Sequence, residues 1–294
     1  MLSILIPTYH YNAFPLASNV VSQAEKEQIP FELLCIDDGS NSELNSENHK
    51  INDLKNSSFI SLKENVGRSS VRRILAEKAQ FDWLLFLDAD VIPKSNDFLK
   101  NYIQLINGDF EAIFGGFAYT SNYESSGKEL RITFGKNREE VPGSIRNKTP
   151  YKVIISANFL IKRNIYTDGL NISQDNLYGM DYLFGALLKK HQIKIKHIDN
   201  EVYHLGIEAN DLFLEKTKKA VETLAYLVRA DKMKEHQNSL LKTYKFLKSM
   251  HFDTLYGKLS KMINPQLEKN LRGSNPNLFV FDLYRLGYLC QIMH

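Results

Sequence analysis

Short apolar runs alternate with helix-compatible or polar stretches along the first part of the chain. Leu2 to Pro7 predict a strand that ends in a turn at Thr8-Tyr9, and Asn19 to Lys26 predict a helix that stops before Pro30. Phe31 to Ile36 read as a second strand and Phe59 to Leu62 as a short third. Arg68 to Ala79 place Val71, Leu75 and Ala79 on one helical face and lead into Leu84 to Asp90, the run LLFLDAD. Consecutive large apolar residues mark a strand buried on both faces. Strands alternating with helices predict βαβ units and a largely parallel sheet, an α/β fold.

Further on, Asp97 to Ile106 predict a helix and Ala112 to Tyr119 (AIFGGFAY) another strand. Thr120 to Thr149 are polar and contain glycine, Arg131, Lys136, Arg138 and Arg146. That composition suits a long surface loop, either a flap that closes over a ligand or a solvated connection. Val153 to Ile161 resume as a strand, Leu183 to Lys190 as a helix, and Ile193 to Ile198 as a half-buried edge strand. From Asp211 the pattern is helical, with one stripe at Leu212, Ala220, Leu224, Leu227 and Val228 and another at Leu240, Leu241, Tyr244 and Leu247. Phe279 to Met293 are apolar on several sides, which predicts burial against the body or a second subunit. The expected organisation is an α/β domain over 1–206 and a helical subdomain over 207–294.

A net charge of +3 and a hydrophobic fraction of 43% exclude a disordered chain and mark no nucleic-acid binder. Charge is uneven, however. Residues 212–272 carry 13 Lys and Arg against 6 Asp and Glu, leaving 24 against 28 elsewhere, so the tail is a basic module. It either rests on an anionic membrane surface or packs as a docked helical subdomain with its lysines solvated. Two distant cysteines, Cys35 and Cys290, suggest buried thiols in a reducing compartment. No run approaches the roughly 20 apolar residues of a membrane span, and LSILIP after Met1 lacks a basic leader. A cytoplasmic protein is expected, with peripheral contact at the inner membrane face left open.

Candidate chemistry sits where the strands end. Asp88 and Asp90 follow an apolar strand near its carboxyl end, where open α/β sheets bind ligands. Residues two apart on an extended chain point the same way, and two close carboxylates call for a hard divalent cation. The plainer alternative is one helix-capping Asp and one solvated Asp. Asp37 and Asp38 open the loop after the second strand, and Asp181 follows Tyr178-Gly179-Met180. Asp38 suits an N–H of a nucleobase, Asp88 a ribose hydroxyl and Asp90 a metal ion, which together describe a nucleotide site. Arg68, Arg72 and Arg73 supply guanidinium forks for a diphosphate, or a solvated helix face. His204 in VYHLG offers an imidazole ligand or a structural hydrogen bond.

SILIPTY, CIDDGS, ENVGRSSVRR, LLFLDAD and YGMDYLFGALLKK, in this order over about Leu2 to Gly206, resemble the inverting family 2 glycosyltransferases. The resemblance implies a GT-A fold, Rossmann-like, with a mostly parallel central sheet flanked by helices and, here, a C-terminal helical extension. It implies that Pro7, Thr8 and Tyr9 flank the nucleotide base, that Asp38 contacts it, and that Asp37 lies close by. Asn65, Gly67 and Arg72 match the family's N-x-G…A-R-N segment, which makes Arg72 a donor contact. Asp88, Ala89 and Asp90 match the D-x-D, with Asp90 on Mn²⁺ or Mg²⁺ and His204 completing the metal site. Asp181 matches the acid that deprotonates the acceptor hydroxyl.

The chain departs from the family pattern at Met180, where Glu is usual, at Val71 and Arg73 around Arg72, and at His10 after Tyr9. The implied partners are a nucleotide-sugar donor and a glycan or lipid-linked saccharide acceptor, with a homodimer open. UDP is the default nucleotide, and GDP and dTDP stay open. Two other functions remain: a nucleotide-sugar-binding protein without catalysis, which Met180 favours, and a nucleotidyltransferase, which the absence of glycine in SILIPTYHYNAF disfavours.

Overall fold

The computed structural model describes residues 1–120, 123, 126–170 and 177–293. In chain order come β1 (Leu2–Thr8), α1 (Phe14–Lys26), β2 (Phe31–Asp37), α2 (Asn45–Asn48), β3 (Ser57–Ser61), α3 (Arg68–Lys78) and β4 (Trp83–Leu87). Next are β5 (Val91–Pro93), α4 (Phe98–Ile103), β6 (Ala112–Phe114), β7 (Phe117–Ala118), α5 (Glu129–Phe134), α6 (Gly143–Arg146) and β8 (Asn158–Lys162). The last elements are α7 (Asp181–Lys190), β9 (Ile195–His197), β10 (Val202–His204), α8 (Asn210–Arg229), α9 (Ser239–Ser249), α10 (Asp253–Leu271) and α11 (Leu278–Ile292). They form two compact units. The first holds Met1–Ala118, Val141–Asn176 and Lys190–Gly206, and the second Tyr119–Glu140, Leu177–Lys189 and Ile207–His294.

The first unit is built on a sheet of order β3-β2-β1-β4-β8-β6-β9. All neighbours are parallel except those of β8, which runs against both β4 and β6. Every residue of β4 is buried and all but one of β1, as two-faced coverage by helices requires. α1 starts with Pro15 in its first turn, where a missing N–H costs nothing, and buries Leu16, Ala17, Val20, Val21 and Ala24. Between strands two and three the polar stretch forms α2 and a 3₁₀ turn, His49–Asp53. Fully buried Asn48 on α2 donates to the Tyr11 carbonyl and accepts from the Ala13 N–H, which fixes the loop after β1.

A second, three-stranded sheet of order β5-β10-β7 also belongs to this unit. The expected strand over Ala112 to Tyr119 is therefore two strands in two sheets. Gly115 and Gly116 make the break: a methyl on Gly115 would lie 2.4 Å from Asn158 Nδ2, and Gly116 has φ +92°. Asn158 donates there to the carbonyls of Gly116 and Asn200, while the Tyr102 hydroxyl donates to its Oδ1 at 2.7 Å.

In the second unit α7, α8, α9 and α11 share an apolar core that includes Leu183, Val221, Leu224, Leu227, Leu241, Tyr244 and Leu289. Leu130, Phe213, Leu214, Leu271, Phe281 and Tyr284 form another cluster. Of the two stripes expected after Asp211, Leu224, Leu227, Leu240, Leu241 and Tyr244 are core while Leu212 is exposed, and α11 packs on α8, α9 and α10 of its own unit. Among the described residues no helix is long and apolar enough to cross a membrane.

Thr120 to Thr149 do not form one loop. They contain α5, a π-helical turn at Gly135–Glu139 and α6, while 121, 122, 124 and 125 lie outside the described residues. The cations expected on a solvated flap are partly internal. In the second unit buried Arg131 pairs with Glu139 at 3.0 Å and lies over the rings of Tyr119 and Phe213. In the first unit Arg146, 2% exposed, donates to the carbonyls of Val141, Phe114, Gly115 and Ile198. Carbonyls stranded at the ends of β6 and β9 need donors, and a planar guanidinium supplies several from one point.

Candidate active site

At the carboxyl ends of β1 and β2 the register sets Thr8 opposite Asp37. The Asp38 N–H donates to the Thr8 carbonyl at 2.9 Å, and the Thr8 hydroxyl to the Tyr11 carbonyl at 3.0 Å. Asp37 is an organiser of this loop: its Oδ2 accepts from the Ser40 N–H and the Asn45 amide, while Oδ1 is buried with no hydrogen-bond partner among the described residues. Asp38 spends its carboxylate on the backbone, Oδ1 on Val66 N–H at 2.7 Å and Oδ2 on Gly67 N–H at 3.0 Å. Burial pushes the Asp38 carboxyl up in pKa, the two N–H groups pull it down and Asp37 adds to the rise. Gly39 (φ +67°) and Gly67 (φ +90°) allow this close approach, since a methyl on Gly39 would sit 2.4 Å from the Glu64 carbonyl carbon. Pro7 and Thr8 end β1, Tyr9 is exposed beyond them with its ring edge-on to His10, and Asn65 is exposed beside Gly67.

Asp88 and Asp90 take different partners. After β4 the chain turns at Ala89-Asp90 instead of continuing extended, so the expectation that both carboxylates face one cation gives way. Asp88 Oδ1 accepts from Arg72 Nη2 at 2.6 Å, and Oδ2 pairs with Arg68. Arg72, 8% exposed, also donates to the Ser156 carbonyl at 2.6 Å and leaves its Nε buried without a partner among the described residues. The arginines of α3 therefore neutralise the first acid of the motif. Arg73 instead pairs with Glu77 along the helix.

Asp90 pairs with histidine. β10 runs antiparallel to β5, with His204 opposite Val91, which brings His204 Nε2 within 3.4 Å of Asp90 Oδ2. The imidazole is stacked on Phe117 of β7, centroids 4.9 Å apart, and the Leu205 N–H donates to the Asp90 carbonyl at 2.8 Å. Burial raises the pKa of Asp90, but the hydrogen bond to His204, the charges of His204 and Arg68 and its own backbone N–H outweigh it, so the carboxyl lies below its usual range. Gly206 lies directly against this pair: a methyl there would lie 2.1 Å from Asp90 Oδ2. Sequence reasoning missed Gly206, Ser156 and Tyr11, whose phenol is pushed up in pKa by burial and by the Asp90 charge. None of them belongs to the acidic or arginine motifs that mark the site in the sequence.

Among the described residues no group of three or more His, Cys, Asp or Glu could hold a metal ion. The Asp90–His204 pair is nevertheless suited to part of a coordination sphere. Ligands at about 2.1 Å and right angles stand about 3 Å apart, near the 3.4 Å observed, and carboxylate with imidazole suits Mn²⁺. Such ions take further oxygens from substrate phosphates and water.

Asp181 lies in the second unit, in the first turn of α7. Gly179 (φ +91°) lets this turn approach α8, where a methyl would meet Ala220 Cα at 3.0 Å. Met180 packs against the apolar core of that unit, a setting that suits a flexible thioether.

A mostly parallel sheet flanked by helices, with a helical region toward the C-terminus, is a GT-A-like architecture. The chain belongs to glycosyl transferase family 2, whose profile matches residues 3–170, and is a glycosyltransferase. S. aureus TarS 1–349 is 14% identical with a TM-score of 0.51, covering 97% of this chain and 89% of that one. The mannosyltransferase PcManGT from Pyrobaculum calidifontis, in complex with GDP-Man and Mn²⁺, is 14% identical with a TM-score of 0.53, covering 78% and 64%. In another S. aureus TarS structure, 18% identical with a TM-score of 0.50, 75% of this chain matches and it spans only 39% of that chain. At these identities the likeness is one of fold. A comparison with curated proteins finds no match.

Proposed function

We propose that this glycosyltransferase is metal-dependent and inverting, and moves a sugar from a nucleotide-sugar to a hydroxyl of a glycan or lipid-linked saccharide. The Asp90–His204 pair, held at 3.4 Å by the β5–β10 register, carries this reading. Asp90 and His204 would hold Mn²⁺ or Mg²⁺, which when bound supplies positive charge to a leaving diphosphate. The loop of Pro7, Thr8, Tyr9, Asp37 and Asp38, with Asn65 and Gly67 beside it, would receive the base. Asp38 then orders the Val66–Gly67 backbone as much as it meets the base, because both its oxygens already accept N–H groups. Asp88 and Ala89 would face the ribose, with Arg72 holding Asp88 in place and adding positive charge near the phosphates.

Asp181 is the proposed base. It takes the proton of the acceptor hydroxyl, whose oxygen forms a bond to the anomeric carbon as the bond from that carbon to the diphosphate oxygen breaks. The electron pair leaves with the diphosphate, and configuration inverts. UDP-GlcNAc in a TarS complex and GDP-Man in PcManGT make UDP- and GDP-sugars the first donors to try.

Screening nucleotide-sugars for Mn²⁺-dependent thermal stabilisation tests the reading, because a bound donor raises the melting temperature by mass action. Asp90→Ala is expected to abolish the Mn²⁺-dependent part, and Asp181→Asn to keep it while losing transfer. Full stabilisation in Asp90→Ala rejects the metal assignment. Transfer at the normal rate by Asp181→Asn assigns the base elsewhere, whereas donor binding with no transfer by the unaltered protein favours the non-catalytic binder to which Met180 points.

A further inference from the structure

Over residues 253–263 the helix α10 buries small and polar residues and exposes large apolar ones. Toward α11 it turns Asp253, Gly257 and Ser260, all buried. The helices meet on small residues: a methyl on Gly287 of α11 would lie 2.4 Å from Ser260 Cβ. Outward it presents Leu255, Leu259, Met262 (74% exposed) and Ile263. At 3.6 residues per turn these four fall within an arc of roughly 100°, the width of an ordinary buried stripe. Phe246 (62% exposed) near the end of α9, with Met250 and Phe252 in the connection to α10, extends the exposed apolar set. These are not the residues of the stripes seen after Asp211, of which Leu224, Leu227, Leu240, Leu241 and Tyr244 are core.

Charge narrows what covers this face. From Ser239 to Ile263 the chain carries Lys242, Lys245, Lys248, Lys258 and Lys261, all exposed, and its one acid, Asp253, is buried. A second copy docked through the same segment would bring one lysine-rich surface up to another, a like-charge juxtaposition that opposes pairing. An anionic bilayer answers both features at once. Its headgroups take the lysines, whose stems lie along the apolar surface, and its acyl boundary takes the leucine, methionine and phenylalanine side chains.

We propose that the outward face of α9 and α10 docks flat on an anionic lipid bilayer. This deepens the proposed function, on which it rests for its purpose: the enzyme would be held at the surface that presents a lipid-linked acceptor. The binding itself needs no sugar transfer.

The test is sedimentation of the full chain with sucrose-loaded vesicles of phosphatidylcholine alone or mixed in equal parts with phosphatidylglycerol, with no donor or acceptor. The protein is expected to pellet with the mixed vesicles and not with phosphatidylcholine, and to be released by salt, which screens the lysines. Leu259→Ser combined with Met262→Ser, both exposed, should leave the melting temperature unchanged and weaken partition at least about tenfold. Failure to bind the mixed vesicles overturns the proposal, as does unchanged binding by the double variant. So does concentration-dependent dimerisation that the double variant abolishes, since the occupant is then a second copy. Because nothing is transferred, a negative result here leaves the catalytic reading standing, and a catalytically dead protein that still pellets leaves the surface standing.

Discussion

Gly206→Ala isolates the Asp90–His204 pair without touching either residue. The new methyl would stand 2.1 Å from Asp90 Oδ2, 3.0 Å from Cγ and 3.3 Å from Cβ. Non-bonded atoms do not approach within about 3 Å, so the carboxylate must withdraw by about 1 Å. It has little freedom to do so smoothly. His204 Nε2 lies 3.4 Å from the same oxygen, and the Leu205 N–H holds the Asp90 carbonyl, so relief comes through rotation of the side chain away from the imidazole. A misplacement of that size in a catalytic group costs about 10²-fold, equivalent to about 2.7 kcal/mol of transition-state stabilisation. In a nucleotide-sugar transfer assay with Mn²⁺ titrated, kcat/KM should fall about 10²-fold and half-saturation should move to higher Mn²⁺. Thermal unfolding without ligands should change little, because the strain is relieved by one side chain. Wild-type turnover and Mn²⁺ dependence in Gly206→Ala would refute the assignment of this pair to the metal.

Two stability predictions concern the first unit. Arg146→Met strands the carbonyls of Phe114, Gly115, Ile198 and Val141, and urea unfolding should show a loss on the order of 3 kcal/mol. An unchanged midpoint would mean that water replaces the guanidinium. His197, buried against Phe114 and Arg146, has its pKa lowered from 6.5 to about 4 by burial, opposed by its hydrogen bond to the Pro150 carbonyl and aided by Arg146. The unfolded chain therefore binds the proton near 6.5 and the folded one only near 4, so the unfolded state holds more protons between these values. Stability should be full above that window and fall as pH drops through it, by about 3 kcal/mol in all and about 2 kcal/mol by pH 5. His197→Gln should flatten that part of the urea-midpoint profile; a profile identical to wild type assigns the acid sensitivity to other groups.

Apolar runs and their punctuation determined much of the first unit. LSILIPT, FELLCID and WLLFL are hydrophobic enough to be central strands whatever surrounds them, and an acid closing such a run stands at a sheet edge by chain geometry alone. The order of motifs likewise determined the family, because each motif is a local string. What the tertiary structure decided is pairing. Asp88 and Asp90 are two residues apart, yet a turn at Ala89 commits one to arginines of α3 and the other to a histidine more than a hundred residues on. Gly206 and Ser156 join the site only because β10 and the stretch before β8 are folded against it, and glycine and serine carry no signal of that in a string. The tail shows the same division: periodicity predicted helices, but which stripe of each helix is inside depends on what it meets. Leu224 and Leu241 meet other helices, whereas α10 meets α11 through Gly257 and Ser260 and leaves Leu259 and Met262 to solvent. Burial is a property of two surfaces, and a sequence displays only one of them at a time.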